Sequence, residues 1–569
     1  MASTHPGVSE SAPYSTHTVF NQAPPLEGVD VFSTNLPLVE AMQREGAGWI
    51  SERASALGRF VGAVGGPQDL WGRQANENKP ILRTHDRYGN RIDEVEFHPA
   101  WHELMRMGVE NELHSLPWTT SQPAGHVARA GLYMTAMQAE AGFCCPITMT
   151  FAVVPALRAT PELASEWEPL LTATTYDHRL IPAQEKGSAI SGMAMTEKQG
   201  GSDVRANTTV ARPLNGGGAG AEYEIVGHKW FCSAPMSDIF LVLAQTDEGL
   251  SCFLMPRILP DGTRNAFHIQ RLKDKLGNHS NASSEVEFHN AWAQMVGEPG
   301  RGVPTIIEMV GHTRLDCVIG AAAGMRAGVV GATWHTAHRQ AFGKRLAEQP
   351  LMANVLADLC LESEATTVLA LRLARAYDEA GAEEGAGSDE LSDAHLFKRL
   401  ATAVGKYWAC KRAPNHAFES LECLGGNGYV EESGMPRLYR EAPLASIWEG
   451  SGNVMSLDVL RALVRTPRSL EVFLHELRQA QGADARLDAH VAKLEQQFTD
   501  PATLESRARR VVEGMALALQ GSLLVRHCPP AVADAFCASR LAGDSGLEYG
   551  TLPSATDFQA IIERHRPQL

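Results

Sequence analysis

The sequence predicts an α+β protein of several domains, in the order helices, β domain, helices. Three observations carry this expectation. The 569 residues are enough to bury several cores. Apolar residues recur at about every 3.6 positions before residue 185 and again after 300. Between about 188 and 292 that period shifts toward two.

Taken in order, residues 1–34 read as a flexible arm, since MASTHPGVSESAPYST has no apolar run. Residues 35–187 read as a mostly helical domain. Leu38, Ala41 and Met42 mark one helix face, and Pro37 suits its start. Pro146, Pro155 and Pro161 are expected to break the section that follows. Residues 188–295 read as a β domain. Tyr223 and Ile225 alternate with Glu222 and Glu224, and Val286 and Phe288 with Glu285 and Glu287. DIFLVLAQT and SCFLMP are short β-rich runs, and NGGGAG at 215–220 is a hairpin-type connection. Residues 296–460 return to long helices with Val355, Leu359, Leu369 and Leu373 as core positions. AGAEEGAGSDE at 380–390 interrupts them as an acidic, Gly-rich surface loop. Residues 461–569 are helical again, with boundaries at Pro467, Pro501 and Pro529-Pro530.

Charge and composition exclude some classes. The net charge of −16 disfavours non-specific attraction of the whole chain to nucleic acid. From Arg461 onward thirteen basic and thirteen acidic residues balance, so the rest of the chain carries the entire excess. No run of eighteen uncharged apolar residues appears, so no membrane span is expected. The N-terminus has no apolar leader and RPQL is no peroxisomal address, which makes the cytoplasm the expected location. The ten cysteines form no C-x-x-C pair, so neither a metal site nor a disulfide framework is expected.

The densest cluster of chemistry is MTEKQGGSD at 195–203. Gly200 and Gly201 let backbone N–H groups approach a flat ligand. Hydroxyls of Thr196 and Ser202 can donate and accept at ring heteroatoms. HKWFCS (228–233), RLKDKLGN (271–278), RQAFGKRL (339–346), ECLGGNGYVEESGMPRLYRE (422–441) and SIWEGSGN (446–453) follow. Their order and spacing resemble the acyl-CoA dehydrogenase family of FAD flavoenzymes, over roughly residues 35–460. THTVFNQ (16–22), CPITMTFA (145–152) and SIWEGSGNVMSLDVLR (446–461) are similar to its AidB-type branch of alkylation-response flavoproteins.

The resemblance implies an N-terminal helical domain, a middle β-barrel, a C-terminal helical bundle and, in the AidB-type branch, an extra C-terminal helical domain. It implies α,β-dehydrogenation of an acyl-CoA with FAD as cofactor and transfer of electrons to an acceptor protein. Glu449 takes the place of the catalytic base; by spacing alone it would read as a surface carboxylate before a helix start at Ser451. Isovaleryl-type relatives carry the base just before an Arg, but here Thr313 precedes Arg314. Arg314 matches an Arg near the thioester end of the pocket. Met195, Thr196 and Ser202 match the pyrimidine edge of the flavin, and Trp230 its ring system. Phe231, Cys232 and Ser233 fill the neighbouring position, with Ser233 in a hydroxyl role near the flavin N5. Ile447, Trp448, Ser451 and Asn453 surround the base and complete the cofactor set. Arg339 and Phe342 match R-x-x-F-G, whose Arg meets the FAD pyrophosphate of a neighbouring subunit, and Gly425 and Gly426 match the Gly-Gly at the same phosphate. These two elements imply a homo-oligomer, in this family a tetramer.

Arg461 matches an Arg on the DNA-binding surface of the AidB-type branch. Arg465, Arg468, Arg507, Arg509 and Arg510 would extend it toward double-stranded DNA, or form a solvated helix face with pairs such as Glu505 to Arg509. Two rival functions stay open. One is a mainly non-catalytic flavin protein that binds DNA; the other is an acyl-CoA oxidase.

Overall fold

The computed structural model describes residues 16–383 and 391–567. The start of the arm and residues 384–390 of the acidic loop lie outside the described residues.

Helix α1 (Leu36–Arg44) has proline in its first turn and buries Leu38, Ala41 and Met42. After α2 (Ser51–Val61) comes a hairpin that the periodicity missed, β1 (Ile81–His85) against β2 (Arg91–Glu96). Its turn is closed by Asp86, whose carboxylate accepts from the N–H groups of Tyr88 and Asn90. Helices α3 (Pro99–Glu110), α4 (Gly125–Ala136), α5 (Cys144–Leu157) and α6 (Pro161–Leu171) complete the first domain. Of the three prolines expected to break it, only Pro161 starts a new helix. Helix α5 runs through Pro146 and Pro155. Pro146 lies in the first turn, where no intrahelical N–H bond is needed. Pro155 deprives the Phe151 carbonyl of its partner, and Trp118 Nε1 donates to that carbonyl at 3.0 Å instead.

The middle domain holds β3 (Ser191–Ala194), β4 (Val210–Pro213), β5 (Glu222–Ser233), β6 (Ile239–Thr246), β7 (Gly249–Pro256), β8 (Phe267–Leu272) and β9 (Ser283–Val296). The order β3-β6-β4-β5-β9-β7 closes on itself because β6 also pairs with β7, giving a barrel; β8 flanks β9. Tyr223, Ile225, Val286 and Phe288 point into it. Glu285 breaks the expected alternation: it too is buried, held by Arg271 and Lys273 at 2.7 Å each. Lys229 pairs with Val286 and Cys232 with Ser284, so a bulge on β5 contains Trp230 and Phe231.

The C-terminal bundle is built on α7 (Gly302–His338), α8 (Pro350–Glu383) and α9 (Asp393–Glu422), joined by α10 (Met435–Glu441) and α11 (Gly452–Arg465). Helix α7 is long and apolar enough to cross a bilayer by length and composition, but 72% of that apolar window is buried inside the protein. It is the central helix, packed by α5, α8 and α9. The tail adds α12 (Arg468–Arg478), α13 (Ala485–Gln497), α14 (Ala508–His527), α15 (Pro530–Phe536) and α16 (Phe558–Glu563). The expected boundary at 460/461 falls inside α11. Helix α14 rests on α8, α9 and α11, and the tail shares one apolar core with the bundle.

Candidate active site

Glu449 stands in the turn between α10 and α11 with φ +56°, a left-handed conformation that costs a side-chain-bearing residue about 1 kcal/mol. The turn is held from two sides. Lys406 of α9 donates Nζ to the carbonyls of Trp448 (2.8 Å) and Gly450. Arg314 of α7 donates Nε to the Glu449 carbonyl at 3.0 Å and Nη1 to Asp458 at 2.9 Å. Arg399 takes the other oxygen of Asp458 at 2.6 Å. Burial would push Asp458 up, but Arg314 and Arg399 outweigh it and hold the carboxyl below its ordinary range. Gly450 has φ +110°, and a Cβ there would meet Met455 Cε at 2.6 Å, so the turn requires glycine.

The Glu449 carboxylate faces a cavity of about 790 Å³. Thr313 donates Oγ1 to its Oε2 at 2.8 Å. Among the described residues Oε1 has no partner. Burial raises the pKa of Glu449; the Thr313 hydrogen bond and the charges of Arg314 and Lys406 pull it back only in part. Three carboxylates beside it on the cavity, Asp316, Glu140 and Glu441, are committed. Asp316 takes both ends of the Arg129 guanidinium, at 2.6 and 2.8 Å, and the Thr148 hydroxyl. Glu140 accepts from Asn76 and from the N–H groups of Gly142 and Phe143. Glu441 accepts the Asn278 N–H.

The loop at 195–203 is anchored from beneath. Glu197 is fully buried and takes Lys229 Nζ (2.9 Å), the Thr208 N–H (2.7 Å) and the Thr209 N–H (3.1 Å). Burial alone would raise Glu197, yet these donors and the Lys229 charge hold it far below the ordinary carboxylate range. Thus Thr196 and Ser202 are left at the surface, their hydroxyls unbonded among the described residues. Trp230 lies half-buried, its backbone N–H on the Thr196 carbonyl (2.8 Å) and Lys273 Nζ 3.3 Å from its ring centroid. Phe231 is 49% exposed beside it. Ser233 meets Ser283 at 3.2 Å. Cys145 connects this face to Glu449: burial pushes its thiol up to about 12, with Asn281, Glu449 and Ser233 all close enough to act on it.

The polar inventory fits a ring cofactor. Trp448 Nε1, Ser280 Oγ and both side-chain polar atoms of Asn281 are buried without a partner among the described residues. Buried groups of this kind are normally satisfied, and a heteroaromatic ring edge would satisfy them. Trp448 was expected from SIWEGSGN, whereas RLKDKLGN stops short of Ser280 and Asn281 and no pattern marked Lys406; Asp458 lies within SIWEGSGNVMSLDVLR but had no role assigned.

Two of the expected residues have side chains engaged within the fold. The Cys232 side chain is fully buried in the barrel core, because the bulge turns Trp230 and Phe231 outward and Cys232 inward. The Arg314 guanidinium is committed to the Glu449 carbonyl and to Asp458, so it holds the Glu449 turn in place. The remaining expected residues are exposed or half-buried. Ile447 is exposed, and Ser451 caps α11 with its hydroxyl unbonded among the described residues. Asn453 Oδ1 accepts from Arg509 Nε at 2.8 Å, which replaces the expected Glu505–Arg509 pair. Met195 packs partly buried against the apolar layer between α5 and the barrel. Phe342 is 100% exposed, Arg339 caps the end of α7, and a Cβ at Gly425 or Gly426 would meet nothing within 4 Å. Arg461 is exposed and 3.7 Å from Asp458.

A barrel between two helical domains, with a clamped carboxylate beside a ring-binding face, defines an acyl-CoA dehydrogenase fold. Family comparisons agree along the chain. The Adaptive response protein AidB N-terminal domain matches residues 21–178, the Acyl-CoA dehydrogenase middle domain 192–291, and the Acyl-CoA dehydrogenase C-terminal domain 300–464. The chain is 45% identical to the protein AidB of Escherichia coli over 527 residues, covering 92% of this chain and 94% of that one. It is 30% identical to acyl-CoA dehydrogenase family member 11 of Caenorhabditis elegans, covering 82% and 76%. The solved structure of Caenorhabditis elegans ACDH-11 in complex with C11-CoA superposes with a TM-score of 0.84 at 26% identity, over 94% of both chains. This chain therefore belongs to the acyl-CoA dehydrogenase family, in its AidB branch, and is an FAD-dependent oxidoreductase.

Proposed function

We propose that this protein removes hydrogen across Cα and Cβ of an acyl-CoA thioester, with Glu449 as the base for the α proton. The observation that carries this reading is the free Oε1 of a carboxylate whose pKa is raised and whose backbone is clamped at the wall of an apolar cavity. Burial makes Glu449 a better proton acceptor than an ordinary carboxylate. Its own N–H has no partner among the described residues and can donate to the thioester oxygen as charge develops there. FAD supplies the acceptor for the β hydride. Thr196, Ser202, Trp230, Phe231, Ser233, Trp448, Ser451 and Asn453 would hold it, with Met195 beneath. Complex formation of the relative ACDH-11 with C11-CoA supports a CoA thioester as ligand.

Phe342, Gly425 and Gly426 stand open at the surface beside the half-buried Arg339, where the FAD phosphates of an adjacent copy would complete them in a homotetramer. Electrons would leave to an acceptor protein in the cytoplasm. A DNA-protective role rests on a second observation: Lys411, Arg461, Arg465, Arg509 and Arg510 are exposed on the mutually packed helices α9, α11 and α14. Asp458 is already held by Arg314 and Arg399, which leaves the Arg461 guanidinium for an outside phosphate. Double-stranded DNA is the partner such a face suits.

Glu449→Gln tests the leading reading. The variant should purify folded and yellow, and acyl-CoAs should no longer bleach its flavin in stopped-flow measurements. Bleaching at the parental rate would remove Glu449 as base. A parent that no acyl-CoA bleaches would favour a structural flavin and the DNA-binding role.

A further inference from the structure

The arm before α1 is tied down on the far side of the cavity from Glu449. Asn21 donates Nδ2 to the Gln340 carbonyl (2.9 Å) and accepts the Gln340 N–H at Oδ1 (2.8 Å), so its amide pairs with backbone as a strand would. Its own carbonyl accepts from Arg339 Nη1 at 2.5 Å, and the Pro24 carbonyl accepts from Trp334 Nε1 at 2.7 Å. These bonds lay Ala23, Pro24, Pro25 and Leu26 along the cavity wall.

Helix α7 joins the two ends. Between His312 and Thr333 it is buried except at Gly320, Gly324, Ala327, Val330 and Gly331, and all five line the cavity. They fall at helical spacing on one face. That face starts at Thr313, the hydrogen-bond partner of Glu449, and ends at Trp334, the partner of Pro24. At 1.5 Å per residue the distance is about 31 Å. Met137, Leu438 and Met435 lie against Gly320, Gly324 and Gly331, at 3.1 to 3.8 Å from where a Cβ would stand. The small residues of α7 and the flexible apolar side chains over them form one strip of the cavity, which charged groups such as Arg73, Glu140, Arg437 and Glu441 line elsewhere.

From this geometry we propose that the arm segment Ala23–Leu26 is the end wall of the acyl site and that the preferred substrate carries a long, unbranched acyl chain laid along α7. The inference rests on the acyl-CoA reading above. Each added methylene that lies on the apolar strip of α7 gains contact until the tail reaches the arm, so affinity should rise with chain length and then stop. The arm residues set that stopping point.

The test is a panel of saturated straight-chain acyl-CoAs of increasing length, titrated calorimetrically into the holoprotein. The parent should bind more tightly as the chain lengthens, up to a ceiling. Leu26→Trp fills the end of the strip and should raise the Kd ratio of the longest to the shortest members about tenfold. Asn21→Ala frees the arm and should move the ceiling to longer chains. Gly324→Leu, midway, should bring the ceiling to shorter ones. A Leu26→Trp profile that superimposes on the parent would overturn the end-wall assignment while leaving the chemistry at Glu449 standing. A parent that binds short and long members alike would do the same. Absence of binding by the parent at every length would remove the acyl-CoA reading and this inference with it.

Discussion

Thr313 donates its hydroxyl to Glu449 Oε2 at 2.8 Å, across 136 residues of chain. The bond fixes the carboxylate rotamer and occupies one oxygen, leaving the other toward the cavity. It also opposes the upward push of burial on the Glu449 pKa.

Thr313→Val should therefore raise that pKa further. The base works deprotonated, so the acidic limb of the pH–rate profile must move to higher pH. A shift of up to about one unit is expected for loss of a neutral donor to a carboxylate. Rates well above the limb should change little. Stopped-flow flavin reduction across pH checks this, and a limb that stays put would show that Thr313 does not bear on the working carboxylate.

Lys406 is buried, with its ammonium on the carbonyls of Trp448 and Gly450. Lys406→Met would leave both without their charged donor, at about 1–3 kcal/mol. The left-handed backbone at Glu449 would then lose its main restraint. The expected result is a fall in kcat larger than the change in KM, with FAD still bound. An unaltered kcat would mean that Arg314 alone secures the turn.

Much of this site can be read from the chain because its determinants are local. Two glycines, two hydroxyls and a glutamate within nine residues mark the loop at 195–203, and Trp-Glu-Gly marks the turn of the base. The barrel strands show in the alternation of Tyr223 and Ile225 with their glutamates. What stayed hidden depends on contacts between distant elements. Arg314 looked available until Asp458 and the Glu449 carbonyl were found to take it. Cys232 looked accessible until a bulge, set by pairing with β9, turned it inward. Pro155 looked like a break until Trp118 proved to satisfy the carbonyl it orphans. Lys406 gave no signal, since one lysine in a long helix has no spacing to read.

The Glu197–Lys229 pair is buried on both sides and supports the loop that carries Thr196 and Ser202. Lys229→Met would leave Glu197 buried without its cation, a change that costs about 3–5 kcal/mol. The double variant Glu197→Gln with Lys229→Met should recover much of that loss, because no charge is then stranded. Denaturant midpoints and FAD content per chain measure both effects. A single variant as stable as the parent would show that the hydrogen bonds from the Thr208 N–H and hydroxyl and from the Thr209 N–H suffice.

If the exposed arginines around α11 meet phosphate, binding of double-stranded DNA must weaken with salt. Arg461→Ala should lower affinity at all sequences alike and reduce the slope of log K against log salt by about one. Fluorescence anisotropy with two unrelated duplexes at several salt concentrations gives both quantities. Equal affinity and slope in variant and parent would take Arg461 out of the DNA face, and no binding by the parent would take away the face itself.

Glu441 provides a test of stability against pH. Burial, and then the charge of neighbouring Glu140, push its pKa up to about 7 in the folded protein, against an ordinary value of 4.5. Between those values the folded chain binds more protons than the unfolded one, so this group makes stability fall as pH rises from about 4.5 through about 7. Glu441→Gln keeps an oxygen for the Asn278 N–H and carries no charge. At pH 5 variant and parent should unfold at nearly the same denaturant concentration. At pH 8 the variant should be the more stable, by on the order of 1–2 kcal/mol given that the carboxyl also faces the cavity. A variant-minus-parent difference that is flat from pH 5 to 8 would mean that Glu441 is charged at no cost throughout, and that the strain between the two carboxyls is relieved by water or by Arg437.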